Sequence, residues 1–434
     1  YFKVQAPERL EQGLHAFTIA AKGKGLEDTV EQIIPITANT TYETQATADY
    51  TNADRAVESV FLPTGVASDK GELKVDYSAT LAVFLSDALK YLLSYPYGGA
   101  EQISSKLSAI AILKNGLQIP NIADKLDLKE IVYEGKTYTI DELAQVGLSK
   151  LLAMQKQDGG FVMWENYGQA NFYATLSALE ALNNLSRAGY AIPESVFLRA
   201  AQFLQKKISS DENIYRDKDN IILAAQAVLP LLSKEGLGAV PLVNNLTPTL
   251  SLEKERLNLV GLPAGRGEVD FWRQRVQTVL SDEIYLKDTM SNSVLAYLAK
   301  MMAQGFLSEL SDKIFGILDS RISIDSRGAF IDNNKNSFWM FYETPIKNTA
   351  LYLKAIAAAK QDHPLTDKLL RWLLSARDKD GAWASTINTL AVVDAFTDYL
   401  NWKQETQSNF SLERLVKNAS KKSFTFAPET VFTQ

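Results

Sequence analysis

Tyr95-Pro96-Tyr97-Gly98-Gly99-Ala100-Glu101-Gln102 stands between two stretches of helical periodicity. Upstream, Leu81, Phe84, Leu85, Ala88, Leu89 and Leu92 recur at the spacing of one apolar helix face. Pro96 and the paired glycines stop that helix and make a tight turn. Downstream, Ile103, Leu107, Ile110 and Ala111 restart the period, and Asn115-Gly116 is expected to end it as a C-terminal stop. The octapeptide therefore places an acid-amide pair, Glu101-Gln102, at a helix N-terminus beside a turn that carries almost no side chain.

Around it, the chain reads as mainly α. From about 73 to 403 the sequence alternates apolar-periodic segments with short breaks rich in Gly, Pro, Asp and Asn. The expected helices run 78–94, 100–114, 139–156, 168–187, 193–208, 219–233, 268–281, 287–304, 306–319, 345–360, 364–376 and 385–402. So many helices in pairs exceed one bundle and point to a repeat-built array. Two echoes support this. Gln157-Asp158-Gly159-Gly160-Phe161-Val162-Met163-Trp164 precedes one helix, and Asp378-Lys379-Asp380-Gly381-Ala382-Trp383 precedes another. Each is an Asp-Gly turn followed by an aromatic plug that covers the end of a helix pair, which predicts a buried Trp383. Ser326-Arg327-Gly328-Ala329-Phe330 is a weaker relative.

The two ends read differently. Phe17, Ile19 and Ala21 alternate with their neighbours, as do Val30 to Ile36 and Tyr42 to Tyr50, so residues 1 to about 72 are expected to be β. After 404 the chain turns polar and then β-like, with Phe424, Phe426 and Phe432 near an alternating pattern.

Composition excludes several chemistries. The 434 residues are 46% apolar and 22% charged, ordinary for a globular protein. The net charge of −6, without a dense Lys/Arg cluster, argues against nucleic acid or anionic lipid as the main partner. No apolar run approaches the ~18 residues that span a membrane. The absence of cysteine removes disulfides, thiolate metal sites and cysteine nucleophiles. His15 and His363 are far apart, so no metal site or cofactor is expected.

The octapeptide resembles the thioester motif of the alpha-2-macroglobulin and complement family, and especially of its bacterial members. There the stretch reads Tyr-Pro-Tyr-Gly-Cys-x-Glu-Gln, and the Gln side chain acylates the Cys sulfur. Gly99 stands at the cysteine position and Gln102 at that of the acyl donor, with Glu101 beside it and Tyr95, Pro96, Tyr97 and Gly98 in register before it. Without a thiol no thioester forms. In the family the product is an acyl group on a good leaving group, open to a Lys amine or a hydroxyl of a target.

The resemblance implies an α/α toroid of paired helices, inserted in a split CUB-like β domain and preceded by part of a β-sandwich macroglobulin domain. The stretch from Phe17 to Glu31 resembles the last hairpin of that macroglobulin domain. The implied boundaries are 1–36 for the end of the macroglobulin domain, 37–72 for the first CUB-like part, 73–403 for the toroid, and 404–434 for the second CUB-like part. The implied whole is a larger protein, of which this chain is a fragment. It would trap proteases in defence and is not an enzyme. Its implied partners are proteases and neighbouring macroglobulin domains, in a periplasmic or otherwise extracytoplasmic location, with any membrane anchor in an N-terminal region outside this stretch.

The residues also admit plainer readings. Tyr95 and Tyr97, matching the family's water-excluding aromatics, equally read as packing for the helix end. Glu101 and Gln102 read as first-turn capping residues, suited to the helix dipole. The competing function is a toroidal enzyme acting on an isoprenoid or a carbohydrate. Asp217-Lys218-Asp219 and Asp378-Lys379-Asp380 are the nearest approaches to a cyclase acid run, and both read as solvated turns. A glycosidase would need two carboxylates across a cleft, and no pair stands out. His363 matches no catalytic position and reads as a surface residue. Trp164, Trp272, Trp339, Trp372 and Trp383 read as core or turn plugs.

Overall fold

A computed structural model describes residues 13–37, 50–51, 54–57, 75, 77–209, 218–232, 266–334, 343–405, 409–414 and 422–427. The chain divides into two compact units, Tyr1–Thr47 and Ala48–Gln434.

In the first unit, β1 (Gly13–Gly23) and β2 (Leu26–Ile36) pair antiparallel, with Ile19 opposite Val30. Lys24 and Gly25 make the two-residue turn, both at positive φ, the geometry that matches strand twist. The hairpin expected at 17–31 is therefore present. The strand expected from Tyr42 lies outside the described residues, apart from Tyr50.

The second unit is mostly helical. Its helices are α1 (Leu85–Ser94), α2 (Ala100–Ala111), α3 (Ile122–Lys125), α4 (Ile140–Ala153), α5 (Phe172–Arg187), α6 (Glu194–Ser209) and α7 (Lys218–Leu232). They continue with α8 (Arg266–Leu280), α9 (Asn292–Ala303), α10 (Ser311–Ser320), α11 (Pro345–Ala359), α12 (Thr366–Ser375) and α13 (Thr386–Lys403). Every helix expected from periodicity has a counterpart here. One end differs: α2 does not stop at Asn115-Gly116 with a left-handed cap but widens into a π turn over Ile112–Gly116. Asn401 then accepts from Gln118 N and donates to Gly116 O, tying that turn to α13.

Contacts run in a closed circuit. α2 packs on α5, α5 on α7, α7 on α9, α9 on α11, α11 on α13, and α13 returns to α2. The intervening helices pack outside it: α1 on α2 and α13, α4 on α2, α6 on α5 and α7, α8 on α7, α10 on α9, and α12 on α11. Burial follows this order. α2, α11 and α13 are buried on nearly every face, including Ser, Thr, Asn and Lys positions, whereas α12 buries a single stripe centred on Leu369, Leu370 and Leu373.

Two short hairpins went unread in the sequence. β3 (Glu130–Tyr133) pairs with β4 (Lys136–Thr139), and β5 (Ile322–Asp325) with β6 (Gly328–Ile331). The first leads into α4 through a capping box in which Thr139 and Glu142 satisfy each other's backbone N–H.

The echoed turns share one construction. Lys156 N donates to Gly160 O at 2.8 Å, and Asp378 N to Ala382 O at 2.9 Å. Phe161 N donates to the Thr175 hydroxyl and Trp383 N to the Thr389 hydroxyl, each threonine lying in the first turn of the next circuit helix. The weaker echo does the same, Ile331 N donating to Thr349. The glycines are required twice over. Gly159 and Gly381 have φ of +90° and +82°, and a Cβ would lie 2.1 Å from Arg199 O on α6 or 2.3 Å from Asp87 Cβ on α1. Trp383 is fully buried, as expected, and its Nε1 donates to Leu373 O at 2.7 Å.

The start and end of the helical region are fastened together. The Tyr50 hydroxyl meets the Tyr399 hydroxyl at 3.0 Å and donates to Glu405, whose other oxygen accepts from Leu81 N at 3.1 Å. The Tyr77 ring packs on Phe424, with centroids 5.3 Å apart. Phe424 lies in β8 (Lys422–Phe426), which pairs with β7 (Phe410–Arg414). Most of 37–72 lies outside the described residues, as does Phe432.

Candidate functional site around Gly99

The turn after α1 is held from beneath. Lys106, one side of α2, donates from Nζ to Tyr95 O at 3.2 Å and sits 3.0 Å from the centroid of the Tyr133 ring. Burial pushes this lysine down to about 7, helped by the nearby Lys150 charge and opposed by Glu134. The rings of Tyr91, Tyr95 and Tyr97 follow one another edge to face, at 5.4 and 5.6 Å. Tyr97 points largely to solvent, at 65% exposure, so it does not cover the motif.

Gly99 is the N-cap residue of α2, extended and buried, and it offers no side-chain cap. Its carbonyl accepts from Ile103 N, and Ala100 N donates to Met163 O at 2.9 Å, which fixes the helix start to the Asp158-Gly159 turn loop. Gln102 folds back over residue 99. A Cβ placed on Gly99 would lie 2.3 Å from Gln102 Oε1 and 2.9 Å from the Trp164 ring. The amide and the missing side chain thus share one small volume, roofed by Trp164.

Glu101 does not cap the helix. It is buried and accepts from Ser105 Oγ at 2.7 Å and from Thr386 Oγ1 at 2.8 and 3.0 Å, joining α2 to the first turn of α13. Desolvation raises its carboxyl, against the two hydroxyls and the Lys347 charge. Lys347, in the first turn of α11, is itself pushed down to about 8 by burial, with Glu180, Glu101 and Glu343 opposing.

No protein-family model matches the sequence. An alpha-2-macroglobulin of Thermotoga maritima is 28% identical over 138 residues, which cover 32% of this chain and 8% of that protein. The alpha-2-macroglobulin of Escherichia coli K12 is 27% identical over 160 residues, 35% of this chain and 9% of that protein. Over about a third of its length the chain is similar to bacterial alpha-2-macroglobulins. Among solved alpha-2-macroglobulins, the native Escherichia coli protein aligns over 82% of this chain and 19% of its own, at 17% identity and a TM-score of 0.49. A crystal structure of the same protein, from domain MG7 to the C-terminus, aligns over 82% of this chain and 48% of its own, at 18% identity and 0.48.

Several residues outside the octapeptide differ from their sequence reading. Trp164 is not a core plug: it is 49% exposed and stands over Gly99. Trp272, Trp372 and Trp383 are buried as expected, and Trp339 lies outside the described residues. Asp219 is no solvated turn residue, since it accepts from the Tyr285 hydroxyl and from Ser291 N at the start of α9. Nor is His363 a surface residue. Its side chain is 9% exposed, with Nδ1 accepting from Leu365 N and Nε2 facing Asp319 Oδ1 at 3.1 Å. Thr386, Trp164 and Lys106 were missed as site residues. Only Lys106, a charge on the apolar side of α2, leaves a mark in the sequence.

Among the described residues no group of His, Cys, Asp and Glu is arranged to hold a metal ion, and no helix is long and apolar enough to cross a membrane.

Proposed function

We propose that the helical circuit is the thioester-type α/α toroid of an alpha-2-macroglobulin-like protease inhibitor, inserted between the two parts of a CUB-like β domain at 37–72 and 404–434. In this reading Gly99, Gln102 and Glu101 occupy the thioester positions, and Tyr95 to Gly98 form the turn before them. Residue 99 has no sulfur, so the module contributes binding surface and mechanical linkage to an extracytoplasmic protease trap, and makes no covalent bond itself. The chain aligns with less than a tenth of its curated relatives' length, and trapping of proteases belongs to the larger protein of this proposal.

One observation carries the reading: Gln102 Oε1 lies within 2.3 Å of the place a residue-99 Cβ would take. That closeness is what a Cys-x-x-Gln pair needs, since the sulfur must reach the carboxamide carbon. The atoms in the way are the free end of Gln102 and the rim of a half-exposed ring, both able to shift.

Intact mass spectrometry tests it. In Gly99→Cys, the thiol should attack the Gln102 carboxamide, form the S–C bond and expel one ammonia. Methylamine should then cleave the thioester to a methylamide and a free, labelable thiol. The unaltered chain should show neither step. An uncyclised Gly99→Cys with a fully labelled thiol, in this chain and in the whole protein alike, would overturn the reading, as would methylamine uptake by the Gly99 chain. The alternative, a toroid enzyme for an isoprenoid or a sugar, would need two free carboxylates facing each other; two carboxylates, Glu180 and Asp394, line the cavity, and Asp394 is ion-paired to the buried Lys354.

A further inference from the structure

Away from the helix N-termini that surround Glu101, the second halves of α5, α7, α9, α11 and α13 enclose a cavity of about 80 Å³. Its walls differ. α7 and α9 supply Ala227, Leu229, Pro230 and Met301, while Glu180, Arg187, Lys300, Lys354 and Asp394 line the rest. A water needs roughly 10–15 Å³ of such space, so the cavity admits a molecule of about six non-hydrogen atoms.

Both signs of charge are left with demands here. On the acceptor side, Asn183 is 6% exposed and its Oδ1 has no hydrogen-bond partner. Glu180 makes no hydrogen bond or ion pair among the described residues, although its field reaches Lys347 and Lys354. Pro230 lies inside α7, so the Gln226 carbonyl lacks the N–H that a helix would give it from four residues on, and Gln226 also lines the cavity. On the donor side, Asp394 and Asp398 both pair with the buried Lys354, whereas Lys300 beside it makes no ion pair among the described residues. An anionic group entering the cavity would therefore meet Lys300, whose charge the two aspartates do not pair.

A simple anion would satisfy the lysines and leave Asn183, Glu180 and Gln226 unanswered; a simple cation would do the reverse. We propose that this cavity binds a short-chain α-amino acid as its zwitterion. The carboxylate lies toward Lys300, Lys354 and Arg187, the ammonium toward Glu180, Asn183 Oδ1 and the Gln226 carbonyl, and a small side chain against Leu229 and Met301. The site shares no residue with the octapeptide and is independent of its chemistry.

Ligand-observed NMR and titration calorimetry on the full chain test this, with L-alanine and L-serine as probes and acetate and methylammonium as half-ligands. Alanine should bind, and each half-ligand should bind at least about tenfold more weakly. Glu180→Gln and Lys300→Met should each weaken alanine by about tenfold or more, with the helical circular dichroism and melting curve kept as a check on folding. Leu229→Phe, which fills the cavity from its apolar wall, should give the same loss without touching a charge. No signal from either amino acid at about 10 mM would mean a water-filled space and overturn the proposal. Acetate binding as tightly as alanine would reduce the site to a plain anion site and overturn it equally.

Discussion

The loops before α5 and α13 begin alike and end differently. Both close an Asp-Gly turn against an outer helix, then bury an aromatic residue whose N–H is given to a threonine hydroxyl. In the second loop that threonine follows six residues later, at Thr389; in the first it follows fourteen later, at Thr175. The extra length carries Met163, whose carbonyl holds Ala100 N, and Trp164, which roofs Gly99. One loop is a joint. The other is the same joint with a covering arm added, and the arm meets the octapeptide.

If the joint is common to both, removing either plug should do similar damage. Trp383→Ala should cost about 3–5 kcal/mol and Phe161→Ala a similar amount, read from urea unfolding midpoints. A loss under about 1 kcal/mol at either position would break the equivalence. Next come the hydroxyls. Thr389→Val and Thr175→Val each leave a buried N–H without an acceptor, for about 1–3 kcal/mol. Unequal losses, with one near zero, would show that only one loop depends on this bond. The arm should matter least to stability. Trp164→Ala should cost under about 1 kcal/mol, since the ring is half exposed, yet in the Gly99→Cys background it should speed hydrolysis of any thioester formed. Unchanged hydrolysis would remove the covering role.

A pH-dependent effect concerns Lys106 beneath the turn. Its folded value lies near 7 against 10.5 for the ordinary amine, so between these the unfolded chain binds the extra proton. Stability therefore rises with pH across that window. Lys106→Met should flatten the rise between about pH 7 and pH 10, leaving what Lys347 and Lys354, both near 8, contribute. An unchanged slope would place Lys106 in solvent rather than under Tyr95.

Much of this was legible in the chain itself. Long amphipathic segments announce themselves by period, and each expected helix exists. The hairpins at 130–139 and 322–331 were not legible, because four-residue strands are too short to show an alternation. The octapeptide marked the site, but its surroundings are made by distant residues. Thr386 meets Glu101 across 285 positions, and Trp164 reaches Gly99 only because a loop is longer than its counterpart. The first Asp-Gly turn is followed by two aromatics, Phe161 and Trp164, and the sequence does not say which is the plug. Hydrogen bonding shows that Phe161 is the counterpart of Trp383.

The fastening of Tyr50, Tyr399, Glu405 and Leu81 has a mechanical consequence. It brings the strand of chain that enters the helical circuit against the strand that leaves it. Tension applied through both flanking segments converges on a few hydrogen bonds at that clasp, and the helices beyond are spared the load until it opens.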